Sequence, residues 1–443
     1  VAVSRTLTAC LLSLALFACG GDDDDDGGGA RVDAGGARVD AGDDSQADAA
    51  GAGADAAPPG FPSSWELTLV ARCNFEVNEG GAYRIPTDHF LSGPSVKVND
   101  AGQVAVTVPI APDGLRHLWT GDAAGGELVY DSPEEVFMSS ASIDRSGRAV
   151  FDLSMSDAAG LYTWDPDGRP AGDLLTSEPF GASRGDPQIN DAGQVGFRAT
   201  FDNGHAHYML EDGRSSPTVR VAETSLDGDS PYSFLFSPAF NGRGDLASGA
   251  RRGPGVDNSR PDEIVVWPAS GEPVVVARDA DADPRSPYAS FDSTRVSLND
   301  RGQVSFGATL VDGGARVVVV ADGASEDLII AREGDGEVGE IEFFSTDINA
   351  HGWVVFRAFD TDGKRAVWVG DGSQLDRVLT QLDEVATDLG TAAVTQETAD
   401  NPAFDGNPSI NDQGDVAFAC GLAPVDDDQV EWGTGVFLAT ARR

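Results

Sequence analysis

One short segment, Asn-Asp-x-Gly-x-Val-x-Phe, returns along this chain, and that self-similarity limits the fold more than any other feature. Full copies are Asn190-Asp191-Ala192-Gly193-Gln194-Val195-Gly196-Phe197, Asn299-Asp300-Arg301-Gly302-Gln303-Val304-Ser305-Phe306 and Asn411-Asp412-Gln413-Gly414-Asp415-Val416-Ala417-Phe418. Variants centre on Gly102, Gly147, Gly244 and Gly352, which makes seven units. Successive glycines are 45, 46, 51, 58, 50 and 62 residues apart. That period is too long for a solenoid coil and suits one four-stranded propeller blade.

The motif describes a tight hairpin. An apolar residue ends one strand, Asn and Asp satisfy the turn backbone with their own side chains, and glycine takes the positive φ that a short loop needs. Val-x-Phe then starts a second strand, whose alternation predicts one buried face. A third strand runs into an Asp-Gly turn, as at Tyr162-Thr163-Trp164 before Asp167-Gly168 and Val367-Trp368-Val369 before Asp371-Gly372. A fourth follows, as at Val274-Val275-Val276-Ala277-Arg278. The expected fold is all-β, a seven-bladed β-propeller of four-stranded blades. The seventh unit stops after its third strand, and residues 67–72 have the character of the missing fourth. An N-terminal strand completing the last blade would close the ring and remove its open edges.

Residues 1–60 stand apart from this fold. Arg5 precedes an apolar run from Leu7 to Ala18, which fits an export signal and is too short for a permanent span. The sequence Leu16-Phe17-Ala18-Cys19-Gly20 resembles the lipobox of bacterial lipoproteins. That resemblance implies that residues 1–18 are a signal peptide, that Cys19 carries the lipid, and that Gly20 directs the protein to the outer membrane of a Gram-negative envelope. Residues 19–60 are rich in Asp, Gly and Ala, with nothing to bury, and read as a disordered tether; residues 61–443 form the propeller. The tandem units resemble those of bacterial exported lipoproteins of presumed β-propeller fold, a likeness carried by scaffold residues that brings no activity with it.

Cys73 lies just past the closing strand and Cys420 just past the second strand of unit seven. In an oxidising compartment they are expected to form a disulfide that fastens the ring, provided the loop ends bend around the strand between them.

Charge narrows the function classes. With 30 basic against 73 acidic residues, the chain carries −43, which excludes nucleic acid as a partner. In an up-and-down blade the short Asn-Asp-x-Gly and Asp-Gly turns share one face. The long segments, residues 226–237, 251–262, 384–406 and 425–433, share the other. Varied loops on a rigid ring carry binding, so that decorated face is the expected site. Its candidates are Asp426, Asp427, Asp428 and Glu431 beside Trp432, together with Tyr232.

Each candidate has a plainer reading. Acidic loops are usually just solvated, and the Tyr232, Phe234, Phe236 group belongs to a recurring aromatic position that includes Phe137, Phe180, Phe291, Phe343 and Phe404, which favours packing. His205 and His207 share a strand face without a third ligand nearby. Asp279, Asp281 and Asp283 have the spacing of a Ca²⁺ loop, but Pro284 stands where that loop needs glycine. Ca²⁺ is the one cofactor these acids suggest, and no metal ligand set or catalytic residue is assigned. The expected function is a monomeric, non-catalytic binding module of the cell envelope, for a glycan, an envelope component or a protein. The alternative is an exported carbohydrate-active hydrolase or lyase using acids at the ring mouth.

Overall fold

The computed structural model describes residues 60–73, 84–85, 95–110, 115–132, 137–154, 159–167, 173–179, 182–253, 262–395, 402–427 and 430–443. Cys19, Phe180 and Asp428 lie outside them, as do the export segment and the tether. The described residues form strands and turns, with no helix, in seven separate sheets. Blade 3 shows the unit whole: Ser183–Ile189, Val195–Phe201, Gly204–Leu210 and Thr218–Ala222 pair in sequence order, each antiparallel to the next. In blades 2, 4, 5 and 6 the innermost strand is split. In blade 5, for example, Tyr288–Phe291 and Ser297–Leu298 both pair with Val304–Leu310. The fold is a seven-bladed β-propeller of four-stranded blades.

The expected hairpins are present. Gly102, Gly147, Gly193, Gly244, Gly302, Gly352 and Gly414 all have φ between 75° and 90°, the left-handed region that a side chain would strain. The second strands depart from the one-sided burial expected of them. Every residue of Ala149–Ser154, a second strand, is buried, and so is every residue of the third strand Arg316–Ala321, for which no one-sided burial was expected. The cause lies in the architecture, because each blade packs a neighbour on both faces. In blade 5, Val317 and Val319 join the core shared with blade 4, while Val318 and Val320 join Phe356 and Trp368 of blade 6. Alternation in these strands therefore separates two cores rather than core from solvent.

The ring closes as expected. Ser64–Cys73 pairs antiparallel with Gly433–Arg442 as the outer strand of blade 7, from Ser64 opposite Arg442 to Arg72 opposite Gly435. A hairpin, Glu384–Thr387 and Gly390–Val394, extends the same sheet from the end of Val416–Pro424. The fully buried Arg72 pins it, with its Nε at 2.8 Å from Asp388 Oδ1 and its Nη2 at 2.9 Å from Oδ2.

The expected disulfide is corrected by register. Gly435 stands opposite both Cys420 and Arg72, so Cys420 shares a sheet face with Arg72, and Cys73, one residue on, points to the other face. Cys420 accordingly packs in the core towards blade 6 and Cys73 in the core towards blade 1. No bond joins them. Cys73 Sγ instead accepts the Thr434 N–H at 3.0 Å, and burial pushes the Cys420 thiol up.

What joins blade to blade around the axis is the repeat asparagine. Its Oδ1 accepts the N–H groups two and four residues on, as Asn299 does from Arg301 at 3.0 Å and Gln303 at 3.1 Å. Its Nδ2 donates to the main-chain oxygen of the equivalent residue in the next blade. The sequence runs from Asn190 to Asn241, from Asn241 to Asn299, from Asn299 to Asn349 and from Asn349 to Asn411, at 3.0–3.2 Å. Asn411 donates to Asn99 at 3.0 Å and Asn99 to Asp144 at 2.7 Å, which carries the bonds across the closure. Asp144 has no amide to donate onward and holds Arg148 Nε at 3.1 Å instead.

Two outcomes follow. Asn411→Asp keeps the turn acceptor but sets a carboxylate against the Asn99 carbonyl, and should lower unfolding free energy by about 2–4 kcal/mol in denaturant titration; an unchanged midpoint would contradict the hub account. Intact mass of the folded protein should be the same with and without reductant, and a difference would restore the Cys73–Cys420 bridge.

Candidate functional site

The inner strands present alternate residues to the axis, so the positions at and before each repeat asparagine form stacked rings. At the short-turn mouth a cavity of about 220 Å³ is lined by the hub residues and their neighbours on either side. An apolar collar of Val98, Ile143, Ile189, Phe240, Leu298, Ile348 and Ile410 lies beneath a rim of Asp100, Arg145, Asp191, Gly242, Asp300, Ala350 and Asp412.

The rim acids are structural acceptors as well as charges. Asp191 takes the Arg145 N–H at 2.9 Å, Asp300 that of Gly242 at 2.6 Å, Asp412 that of Ala350 at 2.7 Å, and Asp100 that of Asp412 at 2.9 Å. A Cβ at 242 would meet the Asp300 carboxylate at 2.6 Å and push that side chain aside. Burial raises the Asp412 carboxyl, and nearby Asp100 and Asp300 add to the shift.

Two residues below the hub, the next ring is Lys97, Ser142, Gln188, Ala239, Ser297, Asp347 and Ser409. Its side chains again bond forward: Ser142 Oγ accepts the Ile189 N–H, Gln188 Oε1 that of Phe240, and Ser297 Oγ that of Ile348. Lys97 Nζ lies 3.1 Å from Asp347 Oδ2, and Ser297 Oγ donates to Asp347 Oδ1 at 2.8 Å. Desolvation raises the Asp347 carboxyl's cost of ionising, but Lys97 and the serine bonds outweigh it and hold that carboxyl below the usual range. Burial lowers the Lys97 ammonium. Below that ring come Ser95, Ser140, Asp186, Ser237, Arg295, Ser345 and Asn407. Here Asn407 bridges blades, donating to Ser95 Oγ and accepting the Ser345 N–H, each at 2.8 Å. Asp186 takes φ of 52°, strained for a residue with a side chain.

Beside the axis between blades 2 and 3 lies a buried charge cluster. Asp152, 1% exposed, has Oδ1 3.5 Å from Arg184 Nε. Desolvation pushes its carboxyl up to about 8 against the pull of Arg184 and Ser154, and Asp186 adds repulsion. Asp152 Oδ1, Arg184 Nε and Arg198 Nε have no hydrogen-bond partner among the described residues.

The residues expected to bind are scattered. Asp426 and Asp427 are exposed, but Glu431 is buried and Trp432 is half-buried against the blade 6–7 core. Tyr232, on blade 4, is buried with its ring 5.7 Å from that of Trp267. The structure does not bring it to the residue 425–433 loop of blade 7. Phe404 is buried, whereas Phe137 and Phe343 are exposed, so the recurring aromatic is not uniformly packing. His205 Nδ1 contacts Glu223 at 2.6 Å and His207 Nε2 contacts the Phe236 carbonyl at 2.9 Å. Asp279 is buried, accepting the N–H groups of Asp262 and Ala282. No group of three or more potential metal ligands occurs among the described residues. The stacked rings were missed in the sequence, although alternation counted back from each repeat asparagine marks the same positions.

The fold and its axis define a propeller. A family model described as "Family of unknown function (DUF7453)" matches residues 144–335, less than half of the chain. No curated protein matches the chain in sequence. Among solved structures, a puromycin-hydrolyzing peptidase of Mycobacterium tuberculosis is similar with TM-score 0.50 and 13% identity, over 83% of this chain and 56% of that one. This chain therefore spans little more than half of the peptidase's length. The β-propeller domain of the Trilobed protease from Pyrococcus furiosus gives TM-score 0.43 at 12% identity, over 63% of this chain and 78% of that one. Polysaccharide lyase Uly1 gives 0.47 at 11%, over 81% and 91%. Likeness at these identities is of fold, and fold hosts many functions.

The Asp152 environment gives a pH signature. Its folded pKa lies above that of an unfolded aspartate, so its contribution to stability is complete below about pH 4 and is lost as pH rises through about 8. Asp152→Asn should therefore gain stability relative to the wild type across that window. Parallel stability curves would contradict burial as the dominant influence on this carboxyl.

Proposed function

We propose that this protein is a non-catalytic binding module of a bacterial cell envelope, held by a lipid on Cys19 and spaced from the membrane by residues 20–60. Its ligand is a glycan, an envelope component or a protein. The observation that carries the reading is the preformed polar axis, whose mouth is fixed by hydrogen bonds passing from blade to blade. A site so held loses little conformational freedom when it binds. The rim carboxylates already accept backbone N–H groups, which suits positioning a ligand more than moving protons.

A second reading, an exported hydrolase or lyase acting on carbohydrate, is favoured by one observation: the Asp152 carboxyl is shifted to about 8 near Asp186. Turnover of a polysaccharide that disappears in Asp152→Asn, with the fold intact, would replace the first reading by this one.

The binding reading is tested on the lipidated chain. A thermal-shift series with glycans, Ca²⁺ and chelator should show a glycan raising apparent stability, because a ligand that prefers the native state must do so. Stabilisation by Ca²⁺ alone would make the acids structural metal ligands. Anchoring is tested separately: Cys19→Ala should abolish incorporation of labelled fatty acid and move the protein out of the membrane fraction, and unchanged incorporation would remove the anchor.

A further inference from the structure

The residue after a repeat glycine ordinarily closes the seam to the next blade. A Cβ on Gly147 would meet Gln103 Oε1 at 2.9 Å, one on Gly244 would meet Gln194 Oε1 at 3.1 Å, and one on Gly414 would meet Trp353 Cζ3 at 2.8 Å. Arg148 and Gln303 stand against Gly193 and Gly352 in the same way. Blade 4 departs from this pattern, because Asp245 follows Gly244 and is too short to cross. It turns back instead: Oδ2 takes Arg243 Nε at 2.9 Å and Nη2 at 2.7 Å, and Oδ1 accepts the Ala269 N–H at 2.8 Å. At the closure Asp415 is equally short, and Leu438 Cδ2 lies 3.9 Å from the place of a Cβ on Gly102.

The seam between blades 4 and 5 holds a cavity of about 560 Å³ that reaches the repeat turns, with Arg243, Arg301 and Gly302 in its wall. The cavity between blades 3 and 4, about 440 Å³, has no repeat-turn residue in its wall. Arginine precedes the repeat glycine in only two of the seven units, and both of these arginines border the one cavity. The same position elsewhere is Ala101, Ser146, Ala192, His351 and Gln413. Asp245 fixes the Arg243 guanidinium across the seam, where Nη2 lies 3.0 Å from the place of a Cβ on Gly302. Arg301 is exposed, and its side chain has no hydrogen-bond or ion-pair partner among the described residues. Asp322, also in the wall, already accepts the Ala324 and Ser325 N–H groups and the Ser325 hydroxyl. Val266, Val274 and Val276 make the wall apolar on the blade 4 side, with Val274 43% exposed.

We propose that this seam binds a sugar bearing a single carboxylate, a uronate. Arg301 supplies two parallel N–H donors to the carboxylate oxygens, and the free edge of Arg243 supplies a second guanidinium already held in place. The valine wall takes the apolar face of the sugar ring. Asp245 matches the charge of Arg243 and Asp322 adds a negative charge to the wall, so the site suits one anionic group and disfavours a dianion. The proposal rests on the binding-module reading and gives it a ligand class and a site apart from the axis.

Calorimetric titration of the whole protein with glucuronate, glucose and inorganic sulfate tests it. Glucuronate should bind, and glucose and sulfate should bind more weakly or not at all. Arg301→Gln, melting as the wild type does in buffer alone, should weaken glucuronate about tenfold or more, with Arg301→Lys between the two. Val274→Asp, at an exposed position of the wall, should weaken it by at least as much through repulsion. Arg214→Gln removes the same charge from an exposed turn of blade 3 and should bind glucuronate as the wild type does. Glucuronate bound undiminished by Arg301→Gln, weakened as much by Arg214→Gln, matched by glucose, exceeded by sulfate, or not bound at all would each overturn the proposal. A glycan or protein that binds Arg301→Gln and Val274→Asp as it binds the wild type would remove this site and leave the binding-module reading standing.

Discussion

The asparagine amide at the hub is the interaction on which the ring depends. One side chain does two jobs with its two ends: the oxygen folds its own hairpin and the nitrogen reaches the next blade. Both functions lie where water is largely excluded, so leaving either end unmet carries the desolvation cost of a buried polar group. This explains why the repeat keeps Asn at six positions and Asp at one, while the residues between repeats vary in length and character. At the exception, Asp144 keeps the hairpin bonds to Ser146 and Arg148 and gives up the forward link. The turn is thus the stricter requirement of the two.

A hub of this kind frees the rings beneath it to diversify. The level of Lys97 and Asp347 uses serine, glutamine, lysine and aspartate, and most of these still bond forward to the next blade. Charge at the axis can therefore differ sharply from the acidic exterior without loosening the sheets. Propeller architecture supplies the scaffold, and the identity of a few inward side chains decides what the lumen can hold.

Much of this was legible in the sequence, for definite reasons. Glycine at positive φ and Asx chemistry are local, so the seven hairpins and their glycines could be read directly. The closing strand was legible because the last unit lacked one and the first segment supplied it. What depended on register or on neighbours was not legible. Cys73 and Cys420 lie on strands separated by Gly433–Arg442, and their register on that strand turns one thiol to each face of blade 7. The middle strands alternate Val with Ala, Ser or Gly and so look one-sided, yet both faces pack. Tyr232 and Glu431 have the composition of a binding surface but are buried, and no local pattern separates those outcomes.

The account's central claim is that hub bonds make the seven blades one unit with a preformed axis. Native-state hydrogen exchange at the hairpin amides tests it most directly, at Ala101 and Gln103 of blade 1, Arg301 and Gln303 of blade 5, and Gln413 and Asp415 of blade 7. The prediction is equal protection in all three blades, set by global unfolding. Much faster exchange in blades 1 and 7 than in blade 5 would mean that the ring opens at its closure, and would contradict a rigid axis.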